Sequence, residues 1–113
     1  MKLLEFQQLA KWISDRQKEE EYTFLMAAYA ALLSAAQANK NIPDIPPEKF
    51  LSLLREAREI FISEDFSVKK LNSWIKTSFP KGTFGVMRQV LEFARGALFN
   101  EPWPEQEEEE EKS

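Results

Sequence analysis

Apolar residues in this chain recur at intervals of three and four, the spacing that gathers a single stripe along an α-helix. Alternating runs of the kind a half-buried strand needs are absent, and β-branched residues do not cluster. The pattern predicts five helices. The first covers roughly residues 2 to 19, with Phe6, Leu9, Ala10 and Ile13 on one stripe and Trp12 at its edge. The second covers roughly residues 21 to 38, where "YTFLMAAYAALLSAA" is apolar on nearly every side. A helix without a polar face belongs at the centre of a bundle. The other four are therefore expected to pack round it and to bury Phe24, Leu25, Ala28, Leu32 and Leu33. Its alanines allow neighbours to come close.

"NKNIPDIPP" stops that helix, since Pro43, Pro46 and Pro47 favour an extended connection. Proline suits a first helical turn, so the third helix starts near Pro47. Phe50, Leu53, Leu54, Ala57, Ile60 and Phe61 form its buried stripe, and Arg55, Glu56, Arg58 and Glu59 its solvated face, with Arg55 and Glu59 one turn apart. Ser67 is an N-cap for the fourth helix, which turns Val68, Leu71, Ile75 and Phe79 inward and Lys69, Asn72, Ser73 and Lys76 outward. Pro80 and Gly82 end it. Thr83 caps the fifth, residues 84 to 99, with Met87, Val90, Leu91, Ala94 and Leu98 inward. The expected fold is all-α: a compact bundle of about five helices over residues 1–99, followed by an acidic, disordered tail over 100–113.

Composition narrows the chemistry. At 113 residues the chain suits one domain. It contains no cysteine and no histidine, which removes thiolate chemistry, the commonest general base and the commonest metal ligand. The glutamate runs Glu19–Glu21 and Glu107–Glu111 read as solvated charge. No catalytic residues, no cofactor and no metal are expected. The longest apolar run falls short of the ~20 residues a membrane span needs, and "MKLLEFQQLAKW" is too interrupted by Glu5, Gln7, Gln8 and Lys11 for a secretory leader. A cytoplasmic protein is expected.

The net charge of −4 conceals a partition. Residues 1–65 hold 8 basic and 11 acidic side chains. Residues 66–96 hold 6 basic side chains (Lys69, Lys70, Lys76, Lys81, Arg88 and Arg95) against Glu92 alone. Residues 97–113 hold Lys112 against seven glutamates. Lys69 and Lys76 are seven apart on one helix, and Arg88 and Arg95 seven apart on the next. A short turn carrying Lys81 makes these helices antiparallel neighbours, so the six cations could form one strip suited to a phosphate backbone, DNA or RNA, without base readout. The rival is a solvated face, or a patch neutralised by the chain's own glutamates.

The turn itself, "SFPKGTFGVMRQ", holds glycine, lysine and a helix start. Its spacing is wrong for a P-loop. "GTFG" matches the GXXG loop of KH domains, but that fold needs a sheet. Trp74, beside Lys70, and Trp103, between Pro102 and Pro104, are candidate anchors for a protein partner.

A helical, cysteine-free and histidine-free chain of this length, with the strip Lys69, Lys70, Lys76, Lys81, Arg88 and Arg95, resembles the small subunits of CRISPR effector complexes. The resemblance implies a non-enzymatic subunit that contacts nucleic acid phosphates, bridges neighbouring subunits of a larger complex and is present in several copies. The alternative class is a protein–protein adaptor, or a small acidic inhibitor of phage type that mimics nucleic acid with its glutamates.

Overall fold

The computed structural model describes residues 2–99. Among them are five helices: α1 (Leu3–Ser14), α2 (Tyr22–Gln37), α3 (Pro47–Ile62), α4 (Val68–Ser78) and α5 (Phe84–Phe99). There is no strand among the described residues, as the periodicity predicts. The acidic tail lies outside them.

Local chemistry sets the helix ends. The Ser67 hydroxyl accepts from the Lys70 N–H at 3.1 Å and caps α4 as expected. Pro47 occupies the first turn of α3. Asn39 adopts the left-handed conformation (φ 60°) after α2, and the Lys40 N–H returns to the Ala35 carbonyl at 3.0 Å. α1 is shorter than the reading to residue 19. The Arg16 guanidinium donates to the Trp12 carbonyl at 2.9 Å, satisfying an orphan carbonyl of the last turn. Asp15–Glu21 then cross to α2 through turns, and no apolar side chain lies among them to continue the stripe.

The core joins Phe6, Leu9 and Ile13 of α1 with Phe24, Leu25, Ala28 and Leu32 of α2. Phe50, Leu51, Leu53, Leu54, Ala57 and Phe61 of α3, Leu71 and Ile75 of α4, Phe79 after it, and Met87, Val90, Leu91 and Ala94 of α5 complete it. Phe24 meets Phe61 edge-on at 5.9 Å, and Phe61 meets Phe66 at 5.3 Å.

The centre of the bundle differs from the expected one. α3, not α2, touches all four other helices. α2 packs most extensively along α5 and also meets α1 and α3, but it does not reach α4. Two consequences follow for α2. Leu33 is only half-buried. Thr23, Ala30, Ser34 and Gln37 stand exposed, although the helix carries no charged residue over its 16 positions. Hydropathy alone cannot separate a central helix from one whose uncharged face is turned outward.

Candidate nucleic-acid interface

α4 and α5 are packed neighbours joined by residues 79–83. Gly82 turns with φ +92°, a conformation L side chains rarely adopt. The Asn41 side-chain amide, from the α2–α3 connection, donates to the Gly82 carbonyl at 3.0 Å. The Thr83 hydroxyl, buried at the start of α5, donates to the Pro80 carbonyl at 2.6 Å. The turn is thus tied on both sides, and Lys81 projects from it exposed.

The six cations separate into three groups. Lys69, Lys76 and Lys81 are exposed, and no carboxylate among the described residues lies within ion-pairing distance of them. Lys69 and Lys76 share one face of α4. The Lys76 ammonium lies 5.3 Å from the centre of the Phe84 ring, which places it on the seam with α5. Lys70 is exposed but pairs with Asp65, which also accepts from the Ser63 hydroxyl. Hydrogen bonding and charge from Lys70, then the Ser63 hydroxyl, hold the Asp65 carboxyl down to about 2 from its ordinary 3.8. One positive charge of the strip is therefore offset.

The arginines form the third group. Arg88, one turn beyond Phe84 on α5, is half-buried. Arg95 is half-buried too, with its guanidinium 5.2 Å from the Phe66 ring centre and 5.1 Å from that of Phe99. It sits against two aromatic rings, a favoured setting for a weakly hydrated cation.

Trp74 is half-buried and meets Phe79 edge-on at 5.6 Å and 87°. Trp103 lies outside the described residues. Asn72, expected on the polar face of α4, is buried with 3% exposure and its side-chain oxygen Oδ1 has no hydrogen-bond partner. Its stripe includes both Val68 and Ile75, so the buried arc of α4 is wider than the apolar residues alone suggest.

Two features were not anticipated from the sequence. Glu21, read there as solvated charge, is a clamp: its carboxylate holds Arg55 at 3.0 Å and Arg16 at 3.8 Å, with only 13% of its side chain exposed. Arg55 consequently pairs across to the α1–α2 connection and not with Glu59. Arg58 lies 3.8 Å from both Glu20 and Glu59. Separately, α2 and α5 border a groove of about 340 Å³ lined by Ala30, Ala31, Ser34, Ala35, Val90 and Phe93, among others. Phe93 is 59% exposed beside it. The sequence signal was the absence of charge on α2, together with a phenylalanine off the inward stripe of α5.

Among the described residues no three acidic side chains gather as a metal site, and no helix is long and apolar enough to cross a membrane. Comparison of the chain with protein-family models, curated proteins and solved structures finds no match.

Proposed function

We propose that this chain is a non-catalytic helical subunit of a nucleoprotein assembly, acting in the manner of a CRISPR small subunit in the cytoplasm. It holds a phosphate backbone through α4 and the turn that follows. The observation that carries this reading is the set Lys69, Lys76 and Lys81: exposed, and without carboxylates in ion-pairing range among the described residues. They lie in a segment whose one acid is Glu92. Point charges on flexible stems follow a backbone without selecting bases. The rigid turn fixes Lys81 relative to α5, so at least one of the three is held in register. Arg88 and Arg95 flank the strip as partly covered cations, and Lys70 contributes once Asp65 releases it.

The test is fluorescence anisotropy of labelled, mixed-sequence single-stranded DNA and RNA, titrated at several salt concentrations. Affinity should fall with salt, because each phosphate contact releases counterions. A Lys69→Ala, Lys76→Ala, Lys81→Ala triple variant should lower the slope of log affinity against log salt by roughly 2, at ~0.7 per contact on a single strand. It should weaken all sequences alike. An unchanged slope would remove the strip from the interface.

A further inference from the structure

We infer that two copies of this chain pair about a two-fold axis through the outer face of α2 and α5. This surface is separate from the lysine strip. On α5, Phe93 lies nine residues from Phe84, about half a turn round the helix, so it points away from the seam with α4. The inference stands or falls independently of the proposed function.

The first observation is charge. In a chain that is 30% charged, the outward positions of α2 are Thr23, Ala30, Ser34 and Gln37. Those of α5 continue the same character with Gly85, Gln89 and Phe93. Within this uncharged face the groove of small side chains and the exposed Phe93 ring adjoin, and a contiguous exposed apolar patch marks an interaction site.

The second observation is the pair of glycines in α5. Gly85 and Gly96 are eleven residues apart, three turns, and so lie on one face. A Cβ at either would meet nothing within 4 Å, and neither has a positive φ. The isolated chain has no steric use for glycine at these positions, where it weakens a helix. Close approach of a second backbone does provide one.

The third observation selects the occupant. At the edges of the face stand Lys40 and Glu92, with the half-buried Arg88 and Arg95 one turn to either side of Glu92 on α5. The Lys40 ammonium reaches only the Gln89 side-chain oxygen Oε1, at 3.4 Å. Glu92 sits one turn beyond Gln89. Among the described residues Lys40 has no carboxylate, and Glu92 no cation, within ion-pairing distance. An isologous interface requires that whatever residue i meets in its partner, that partner residue meets i in return. Lys40 and Glu92 satisfy this requirement: each Lys40 faces the other copy's Glu92, twice. Shape follows the same rule, since the surface carries both a protrusion, Phe93, and a groove of small side chains beside it to receive one. The two α5 helices run antiparallel, Gly85 of each against Gly96 of the other and Gln89 opposite Glu92, and each Phe93 seats against the other copy.

Sedimentation equilibrium of the full chain over a wide concentration range provides the test. A monomer–dimer equilibrium is expected. Phe93→Ala should raise its dissociation constant by roughly tenfold or more, as for a central aromatic anchor. The Gly85→Ala, Gly96→Ala double variant should melt higher when dilute yet dimerise less. A destabilised fold cannot give that combination. Lys40→Glu and Glu92→Lys should each weaken pairing alone. Mixed in equal amounts they should form a heterodimer, because both cross-contacts are then attractive. The Lys69, Lys76, Lys81 variant should pair normally, which separates this face from nucleic acid binding. A chain that stays monomeric overturns the inference and leaves the face to residues 100–113 or to a different protein. So does a dimer indifferent to Phe93 and the glycines, or one not rescued by mixing.

Discussion

Asp65 is held by Lys70 and Ser63 at the junction of α3 and α4. Because folding lowers its pKa, the pairing stabilises the fold above the ordinary value of 3.8 and is lost as pH falls through about 2. The group is exposed, so its loss should loosen the junction and leave the core intact. An NMR titration of side-chain carboxyl carbons should place the Asp65 midpoint near 2. Asp65→Asn should also release Lys70 to the strip and steepen the salt dependence of nucleic acid binding by about one contact. Buried polar groups act differently. The Asn72 side-chain oxygen Oδ1 is buried without a donor, so Asn72→Leu should raise stability by about 1–2 kcal/mol in urea denaturation. Glu21→Ala should lower it by about 1–2 kcal/mol by leaving Arg16 and Arg55 without their shared carboxylate. The Ser67 cap was legible in sequence because its partner is three residues away. Glu21 was not, because Arg55 lies 34 residues further on. A one-dimensional pattern reports neighbours along the helix, not partners across it.

At the scale of elements, hydrophobic period located all five helices and most of their buried stripes. The one boundary that missed, the end of α1, lies where the Arg16 side chain takes the Trp12 carbonyl. The centre also missed. α2 is uncharged and α3 carries Arg55, Glu56, Arg58 and Glu59 on one side, yet α3 meets every other helix. The buried side of α3, from Leu53 round to Leu51, covers nearly half the helix, and that suffices for the position when the neighbours are arranged round it. Leu32 is nevertheless fully buried, and Leu32→Asp should cost roughly 3–5 kcal/mol by placing an unpaired charge in the core. A urea midpoint matching the parent's would show that the site opens to water. On the outer side of the bundle, Gly85→Ala and Gly96→Ala should each add about 0.5–1 kcal/mol to the dilute monomer. Thermal melts at low concentration measure that gain.

For the molecule as a whole, net charge is a poor guide to what the surface offers. The strip of residues 66–96 was legible as a block of six cations in the sequence. Its division into three projecting lysines, one compensated lysine and two covered arginines was not. That division depends on Asp65, Phe66 and Phe99, which mark nothing special along the chain. Removing residues 101–113 would delete seven glutamates and Lys112, taking the net charge from −4 to +2. Nucleic acid affinity should rise in the truncated chain and its salt dependence persist. If affinity is unchanged, those glutamates do not compete for the lysines.

The long contact between α2 and α5 also has a history in time. Between the last residue of α2, Gln37, and the last of α5, Phe99, lie 62 residues of synthesis. At cellular translation speeds that interval is roughly 3 to 12 seconds. Throughout it, a helix with no charge along its length waits for its main partner, while α1 and α3 can cover only part of it. The nascent chain is then at its most vulnerable to aggregation, and it is a natural client for holding chaperones. Chains arrested before Phe84 should associate with such chaperones and remain protease-sensitive. Chains released after Phe99 should escape both.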